Sequence, residues 1–342
     1  METIGPEIKV SIALATYNGG QYLREQLESI ASQTELPSEV VISDDGSNDD
    51  TLKIVAAFSR QAPFDVRVLP RHDRLGFADN FLHAAEHCRN PVVMFCDQDD
   101  VWLPEKLAVS RRRLTSDNSL ALIHSLSMVD GDLKPIGPLS QGITASAVYQ
   151  PLELDPFLCA YGNTLTFRRE LLSLRPRNAR PPADERSLSH DTWIYTLAAA
   201  LGRVTHLAES YILYRQHGEN ASNLDPRNRW QKLVDLGTFN VRHHNGMAQF
   251  KGQMAKIFED ISLSQPEWAQ RAKVAAERYR QRRQDELERI HLYSAPSLQL
   301  RVSAFRSVHM ARWSAPGPVK NKLFSSSKDF TLGVLKLGAR VT

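Results

Sequence analysis

The pattern of apolar and polar residues in the first 130 positions alternates between the period of a strand and that of a helix. Short apolar runs rich in β-branched residues predict five strands, at Ile8–Ala15, Glu39–Ser43, Val66–Pro70, Pro91–Cys96 and Leu120–Met128. Apolar residues three or four positions apart predict helices at Gln21–Ser32, Asp49–Ser59, Gly76–Cys88 and Pro104–Leu114. Strands that alternate with helices form βαβ units, so we expect an α/β domain with a mostly parallel sheet between helices.

The second half of the chain changes from this alternation to a helical pattern. Residues 131–156 are irregular, and then a strand at Asn163–Phe167 and short strands at Arg203–His206 and Tyr211–Arg215 are predicted. Helices are predicted at Arg168–Leu174, His190–Leu201, Trp230–Phe239, Gly246–Ile261 and Pro266–Leu292. The chain is therefore expected to contain an α/β domain over residues 1–224 and a helical region over residues 225–342.

Composition places the chain among ordinary globular proteins, with 42% hydrophobic and 24% charged residues. It contains no uninterrupted apolar stretch of spanning length and begins without the pattern of a secretory signal. Its three cysteines, Cys88, Cys96 and Cys159, form neither a disulfide framework nor a zinc motif. A cytoplasmic protein with reduced thiols is the expectation.

Charge is divided unevenly along the chain. Residues 1–224 carry a net charge of −8, whereas residues 225–342 carry +11. Between residues 290 and 342, eight Lys or Arg residues accompany a single acid, Asp329, and aromatic and leucine side chains lie among them. Such a segment can hold a protein to an anionic membrane, while a solvated helical face or a disordered tail remains the alternative. No motif for nucleic-acid binding accompanies the basic residues, and no nucleic-acid partner is expected.

Acidic residues follow two of the predicted strands directly. Asp97, Asp99 and Asp100 come within four positions after the strand at Pro91–Cys96, and carboxylates this close repel one another unless a cation neutralises them. Hard oxygen ligands favour Mg²⁺ or Mn²⁺, commonly shared with substrate phosphate. A solvated turn or a helix cap is the alternative for this cluster.

A second acidic pair, Asp44 and Asp45, follows the strand at Glu39–Ser43. It can form an ordinary Asp-Gly turn, or it can accept hydrogen bonds from a base or ribose. The chain lacks a P-loop, a dinucleotide-binding fingerprint, a nucleophile elbow and an HExxH motif, which excludes the enzyme classes that depend on them.

Four motifs in order resemble the family 2 glycosyltransferases, which have the GT-A fold. They are SIALATYNGGQYLREQLESIASQ, VVISDDGSNDDT, LGFADNF and VVMFCDQDDVWLPEKL, and the resemblance extends from about Val10 to about Ser222. The DQDDVW form is most similar to bacterial rhamnosyltransferases that build cell-surface polysaccharides such as O-antigen or exopolysaccharide.

The resemblance implies roles for matching residues in the first half. Thr16, Tyr17 and Asn18 would line the base pocket, and Asp44 would hydrogen-bond the base with Asp45 nearby. The resemblance places three further residues beside the donor, namely Arg71, Gly76 and Asp97. Asp99 would bind the Mn²⁺ or Mg²⁺ that bridges the phosphates, and Asp100 is the second candidate for that role.

Later residues fit the same resemblance. Gly162 would lie beside the donor sugar, and Asp191 is the candidate catalytic base, although it could also be an ordinary helix cap. His190 replaces the glutamate that is commoner before the base. Arg215 could pair with phosphate oxygens, and His217 could complete the metal shell.

The resemblance implies an inverting transfer of a sugar, with rhamnose favoured, from dTDP-rhamnose or a UDP-sugar to a growing glycan or lipid-linked acceptor. A UDP-hexose or UDP-N-acetylhexosamine transferase of the same fold is one alternative. A catalytically inactive scaffold that binds a nucleotide sugar is another. We expect a cytoplasmic protein that can associate peripherally with the inner face of the cell membrane.

Overall fold

The first four predicted strands form the parallel side of a mixed sheet in the computed structural model of the chain. The structure describes residues 8–70, 73–139, 142–154, 161–183, 186–218, 241–314, 323, 326–327 and 329–335. The strands are β1 Val10–Thr16, β2 Glu39–Asp44, β3 Asp65–Val68 and β4 Val92–Cys96, and they pair in the order β3–β2–β1–β4. The helices α1 Leu23–Ala31, α2 Thr51–Ser59 and α3 Phe77–Glu86 connect them.

The other side of the sheet contains antiparallel strands. The remaining strands are β5 Val101–Trp102, β6 Ser119–Val129, β7 Pro135–Leu139, β8 Ala147–Tyr149, β9 Thr166–Arg168, β10 Pro182–Ala183, β11 Arg186–Ser187 and β12 Arg203–Arg215. Beyond β4 the sheet continues β9–β6–β12–β5, and β9 runs antiparallel to both of its neighbours. The helices α4 Lys106–Ser116 and α5 His190–Leu201 and three short 3-10 turns, Gly162–Thr164, Arg169–Ser173 and Arg177–Ala179, complete this part of the chain.

The expected α/β architecture with a central sheet between helices is confirmed. Every residue of β1 and β4 is buried, as the apolar runs predict for strands covered on both faces. Some details differ from the prediction. The two short strands expected after α5 form one strand, β12, whose register against β6 shifts at Ser210.

The C-terminal part of the chain is helical, as expected. It contains α6 Val241–Ser264, α7 Ala269–Ser294, α8 Leu298–Ser314 and a π-helical turn at Asp329–Val334. The helix predicted at 230–239 lies outside the described residues. No helix within the ranges given above is long and apolar enough to cross a membrane.

A buried carboxylate connects α6 and α7. Glu286 accepts hydrogen bonds from His244 Nδ1 at 2.6 Å, Lys251 Nζ at 2.6 Å and Arg289 NH1 at 2.9 Å. Burial alone would raise the pKa of Glu286, but the bond from His244 and the charges of Arg289 and Lys251 hold that pKa well below its usual value. The network explains how charged residues are accommodated between these two helices.

Two compact units can be distinguished by the contacts within them. One contains residues 1–151, 155–180 and 188–222, and the other contains residues 152–154, 181–187 and 223–342. The division into domains at residues 224 and 225 stays a prediction.

Glu39 should stabilise the first unit in a pH-dependent way. Its carboxylate is buried at the amino end of β2 and accepts bonds from Ser11 Oγ at 2.7 Å, Arg67 NH2 at 2.8 Å and Arg89 N at 2.6 Å. Burial alone would raise the pKa of Glu39, but these hydrogen bonds and the Arg67 charge lower it. We expect Glu39→Ala to lower the unfolding free energy by about 3 kcal/mol at pH 7, because the Ser11, Arg67 and Arg89 donors would lose the buried carboxylate to which they donate.

The pH dependence of that difference follows from the sign of the shift. Because the pKa of Glu39 is lower in the folded protein than in the unfolded chain, its carboxylate stabilises the fold at pH values above the unfolded pKa of about 4.3. This stabilisation is lost as the pH falls through the folded-state pKa and Glu39 becomes protonated. Urea unfolding of the unchanged protein and of Glu39→Ala at pH 7 and near pH 3.5 should therefore show a smaller difference in unfolding free energy at the lower pH. Glu35→Ala, which removes a half-exposed partner of Arg111, is the matched control and should change little. An equal difference in unfolding free energy at both pH values would contradict this role of Glu39.

Candidate active site

The carboxyl ends of β1, β2 and β4 open onto a cavity of about 520 Å³. Parallel strands end at one edge of a sheet, and ligands of α/β proteins bind beyond that edge. Four carboxylates line the cavity, at Asp45, Asp97, Asp99 and Asp191. Arg74 is the one Lys or Arg side chain among its lining residues in the described part of the chain. Because carboxylates outnumber basic side chains in its lining, the cavity suits a ligand that binds together with cations.

The turn after β1 is fixed by a side chain from the loop after β4. Gln98 accepts from the Tyr17 N–H at 2.9 Å and donates to the Tyr17 carbonyl at 3.0 Å. Asn18 has a φ of 49°, and at Gly19 a Cβ atom would lie 2.3 Å from Gln98 Oε1. A residue with a side chain at Gly19 would therefore displace Gln98, which couples the two loops.

The two adjacent carboxylates after β2 have different surroundings. Asp44 accepts bonds from Thr16 Oγ1 at 2.8 Å, Ser47 N at 2.8 Å and Ser47 Oγ at 2.6 Å, and it is not among the residues that line the cavity. Asp45 lines the cavity and accepts from the backbone N–H groups of Leu75 at 2.5 Å and Gly76 at 3.0 Å. Asp44 therefore fixes its own turn, whereas Asp45 fixes the loop before α3.

That loop brings a cation to the cavity. Gly76 has a φ of 82°, a conformation that L side chains rarely adopt, and it immediately precedes α3. The Arg74 guanidinium lies 4.0 Å from the centre of the Tyr17 ring, and its Nε is 3.5 Å from Asp45 Oδ2. Arg71, predicted to lie beside the nucleotide, is outside the described residues.

The carboxylates of the acidic loop after β4 repel one another. Burial, and then the charges of Asp100, Asp99 and Asp191, raise the pKa of Asp97 well above its usual value. Burial and the Asp99 charge raise the pKa of Asp100 to about 7. Such a cluster is more stable when a divalent cation neutralises it, as the sequence predicts.

Asp100 faces the protein interior. It is fully buried and accepts from Asn163 Nδ2 at 2.7 Å and from the backbone N–H of Arg215 at 3.0 Å. Lys106 Nζ donates to the Asn163 carbonyl at 2.5 Å and lies 3.8 Å from the centre of the Trp102 ring. Burial lowers the pKa of Lys106 to about 7. Asp100 therefore ties the acidic loop to the turn at residues 162–164, while Asp99 lines the cavity.

Arg215 supports the acidic loop from within the protein. Its side chain is 1% exposed, donates to the carbonyls of Asp99 at 2.8 Å and Gly131 at 2.5 Å, and pairs with the Glu25 carboxylate. Its guanidinium also lies 4.3 Å from the centre of the Tyr22 ring. These contacts give it a positioning role, and the phosphate contact inferred from the resemblance stays a prediction.

Asp99 and His217 form the pair that could hold a metal. His217 Nε2 lies 2.9 Å from Asp99 Oδ2, and both side chains are 16% exposed. In the described ranges, no three His, Cys, Asp or Glu side chains are arranged to hold a metal unaided. The Asp99 carboxylate nevertheless fits Mg²⁺ or Mn²⁺, because such ions are often held by one or two carboxylates and complete their shell with substrate phosphate.

Asp191 lies in the first turn of α5. Its Oδ1 accepts from Thr192 N at 2.6 Å and from the Ser189 hydroxyl, while Oδ2 makes no bond to the residues that the structure describes. His190 is buried, and a Cβ on Gly162 would lie 2.4 Å from its Nε2. Burial lowers the pKa of His190 to about 4, so the imidazole is uncharged at neutral pH.

The predicted site residues are divided between the cavity and its surroundings. Seven of them line the cavity: Thr16, Tyr17, Asp45, Asp97, Asp99, Gly162 and Asp191. Five lie beside or behind it: Asn18, Asp44, Gly76, Arg215 and His217. The analysis of the sequence missed Arg74 and Phe77, which line the cavity, and Lys106 and Glu25, which support it. Arg74 and Phe77 flank the Gly76 turn, and that position is the signal that could have found them.

Two relatives that are similar in sequence have names that describe glycosyltransferases. A protein of Nostoc sp. described as an uncharacterised glycosyltransferase is 31% identical over 62% of this chain and 66% of its own length. The dTDP-rhamnosyl transferase RfbG of Shigella flexneri is 25% identical over 64% of this chain and 78% of its own. The chain spans less than two thirds of the length of the Nostoc protein and of several uncharacterised mycobacterial relatives.

A solved structure shares the fold. The chain is similar to Staphylococcus aureus TarS 1–349, determined in complex with UDP-GlcNAc, with a TM-score of 0.52, 18% identity and coverage of 95% of this chain and 92% of that one. Residues 11–174 match the family model described as Glycosyl transferase family 2. The match identifies residues 11–174 of this chain as a glycosyl transferase family 2 region.

Proposed function

We propose that this chain is an inverting, metal-dependent glycosyltransferase that moves a sugar from a nucleotide donor to a growing cell-surface polysaccharide or a lipid-linked glycan. The observation that carries the proposal is the single cavity at the strand ends that is lined by Asp45, Asp99 and Asp191. Each of the three supplies one requirement of the reaction, namely nucleotide binding, neutralisation of the diphosphate and removal of a proton.

The nucleotide end of the cavity contains Tyr17, Asp45 and Arg74. The Tyr17 ring is 39% exposed and Asp45 is the carboxylate that faces the cavity, so we assign base recognition to Asp45 instead of Asp44. The Arg74 guanidinium lies over the Tyr17 ring and suits a phosphate oxygen of the donor. Binding these inert parts of the donor orients the reacting carbon.

The diphosphate is assigned to Asp99 and His217. A Mn²⁺ or Mg²⁺ ion between these side chains and the phosphates would act as a Lewis acid for the charge of the leaving nucleoside diphosphate. Arg215 holds the Asp99 backbone in place through its 2.8 Å bond to the Asp99 carbonyl. Asp97 lies in the same loop and is assigned to the ribose or donor sugar.

Asp191 is assigned as the base that takes the proton of the acceptor hydroxyl. Its Oδ1 is oriented by the bond from Thr192 N at 2.6 Å, which leaves Oδ2 to face the acceptor. Removing this proton as the hydroxyl attacks opposite the leaving group gives one in-line displacement with inversion. In this mechanism, Asp99 and Asp191 lie on opposite sides of the transferred sugar. Asp99 serves the leaving diphosphate, and Asp191 serves the attacking hydroxyl.

A panel of donors tests the proposal. The protein is incubated with dTDP-rhamnose, UDP-glucose, UDP-galactose, UDP-N-acetylglucosamine or GDP-mannose and with Mn²⁺, Mg²⁺ or EDTA, and release of nucleoside diphosphate and thermal shift are read. Because a relative is named dTDP-rhamnosyl transferase, dTDP-rhamnose is the first candidate donor for this chain. The complex of TarS with UDP-GlcNAc makes a UDP-sugar the second candidate. A metal-dependent response to one donor supports the proposal. Binding without turnover for every donor and acceptor tested would favour a scaffold instead.

We also propose that α8 contacts an anionic membrane surface, where a lipid-linked acceptor would be found. Its residues 298–314 include no Asp or Glu, and Leu300, Met310 and Trp313 are exposed although the opposite face of the helix is buried. Asp329, the one acid of residues 290–342, is buried beside Arg289. Exposed apolar side chains among basic residues favour the surface of an anionic bilayer. The further basic residues of this segment, Lys320, Lys322, Lys328, Lys336 and Arg340, lie outside the described residues.

Met310→Glu should weaken this membrane contact. The change replaces a side chain that is 68% exposed with a charge that anionic lipid repels, and we expect vesicle affinity to fall about tenfold. Co-sedimentation with vesicles of one part phosphatidylglycerol to three parts phosphatidylcholine measures the effect. Leu263→Glu on α6, where the side chain is 81% exposed, is the matched control and should bind like the unchanged protein. Equal binding of the Met310 variant and the unchanged protein would refute the contact.

A further inference from the structure

Two aromatic residues that line the cavity are exposed, Tyr17 and Phe77, and the rings packed against Phe77 are buried. Phe77, the first residue of α3, is 52% exposed and lines the cavity. Its ring centre lies 5.2 Å from that of Phe81 and 5.3 Å from that of His190, with both rings edge-on. Large apolar side chains that remain exposed inside a cavity commonly contact a ligand.

The rings behind Phe77 form a rigid apolar support. His190 stacks on Phe81 at 4.1 Å and 10°, and both lie edge-on to Phe95. His190 is uncharged at neutral pH, as described above, and its ring nitrogens bond to no residue in the part of the chain that the structure describes. The group therefore presents Phe77 to the cavity as a fixed apolar surface, with its edge contacts already made.

The position of Phe77 indicates which part of a donor would reach it. The Gly76 turn beside it is bonded to Asp45, at the nucleotide end, and the His190 ring beside it precedes Asp191, at the transfer end. The group that must lie between a nucleotide and a catalytic base is the sugar being transferred. A pyranose ring has C–H groups with partial positive charge on its faces, and the face of a phenyl ring is negative.

We propose that the Phe77 ring is the surface on which the pyranose ring of the transferred sugar packs. This inference rests on the proposed function, and it assigns a binding role to a residue outside the carboxylate set. The contact selects donors whose sugar turns an apolar C–H face toward α3. It makes no contact with the nucleotide, so its effect is confined to the sugar.

Calorimetry with and without the sugar tests the proposal. The affinities of dTDP and dTDP-rhamnose, and of UDP and UDP-N-acetylglucosamine, are measured with Mn²⁺ for the unchanged protein and for Phe77→Ala. For the pair that binds, we expect the variant to lose about tenfold in affinity for the nucleotide sugar and less than twofold for the nucleoside diphosphate. Phe77→Tyr, which keeps the ring, should retain the affinity for the sugar. Leu52→Ala, at a side chain on α2 that is 40% exposed and outside the cavity, is the matched control.

The outcomes are distinguishable. Equal losses for nucleotide and nucleotide sugar, or no loss for either, would overturn the assignment of Phe77. An unchanged donor affinity with a raised KM for an acceptor would overturn it too, and would place the acceptor sugar on this ring. If the unchanged protein responds to a different donor of the panel given above, that donor and its nucleoside diphosphate replace these pairs. If it binds no donor of the panel with Mn²⁺, the proposed function fails, and the role of Phe77 fails with it.

Discussion

Asp191→Asn should reduce turnover by about 10²–10⁴ and leave donor affinity within about twofold. An amide cannot take the proton of the acceptor hydroxyl, but it can still accept the 2.6 Å bond from Thr192 N through its oxygen. The start of α5 should therefore keep its shape while the base is lost. Initial rates with the responding donor, together with calorimetry on the donor and on the nucleoside diphosphate, separate the two effects.

The control for this variant is Asp50→Asn. Asp50 lies at the start of α2, pairs with the exposed Lys53 and is outside the cavity, so its loss should leave turnover unchanged. Full activity of Asp191→Asn would remove Asp191 from the mechanism. Loss of donor affinity in parallel with turnover would assign Asp191 to binding instead of proton transfer.

Asp99→Ala should abolish most of the metal-dependent part of donor affinity. Because changes in residues that only orient metal ligands already cost about 10–100-fold, a ligand itself should cost at least ~100-fold. Affinity for the nucleotide measured in EDTA should change little, since Tyr17 and Asp45 remain. Calorimetry with and without Mn²⁺, and the electron paramagnetic resonance signal of bound Mn²⁺, give readouts that do not depend on activity.

His217→Asn provides the companion test of the same pair. The His217 ring lies 2.9 Å from the Asp99 carboxylate, so its loss should reduce Mn²⁺ affinity in the same direction but by less. His87→Asn, at an exposed residue that follows α3 directly, is the matched control. An Asp99→Ala protein that retains the full gain in affinity on adding Mn²⁺ would contradict the metal assignment.

Long or fully buried elements could be predicted from the sequence because their patterns are local. The helix predicted at 190–201 coincides with α5, and the apolar run before Asp97 gives the buried strand β4. The strands β5, β7, β8, β10 and β11 were not predicted. They have two to five residues each. β5, β7 and β8 depend on pairing with the longer strands β6 and β12, and β10 and β11 pair with each other.

In the candidate site, the sequence likewise predicts where residues lie along the chain but not the direction of their side chains. The sequence indicates that carboxylates gather at one sheet edge, but it does not reveal that Asp44 bonds to its own turn while Asp45 faces the cavity. The direction of each side chain depends on the turn that follows β2. Arg215 is a similar case, because its charge is matched by Glu25, 190 residues earlier in the chain.

The support of the acidic loop by Arg215 has a consequence for biosynthesis. During translation, β1, α1 and β4 leave the ribosome long before β12, so Glu25 and the Asp99 carbonyl exist for more than a hundred residues without their partner. Contacts this distant in sequence form late. A nascent chain or proteolytic fragment that stops short of residue 215 should therefore contain the whole acidic motif and still lack the contact that fixes the acidic loop.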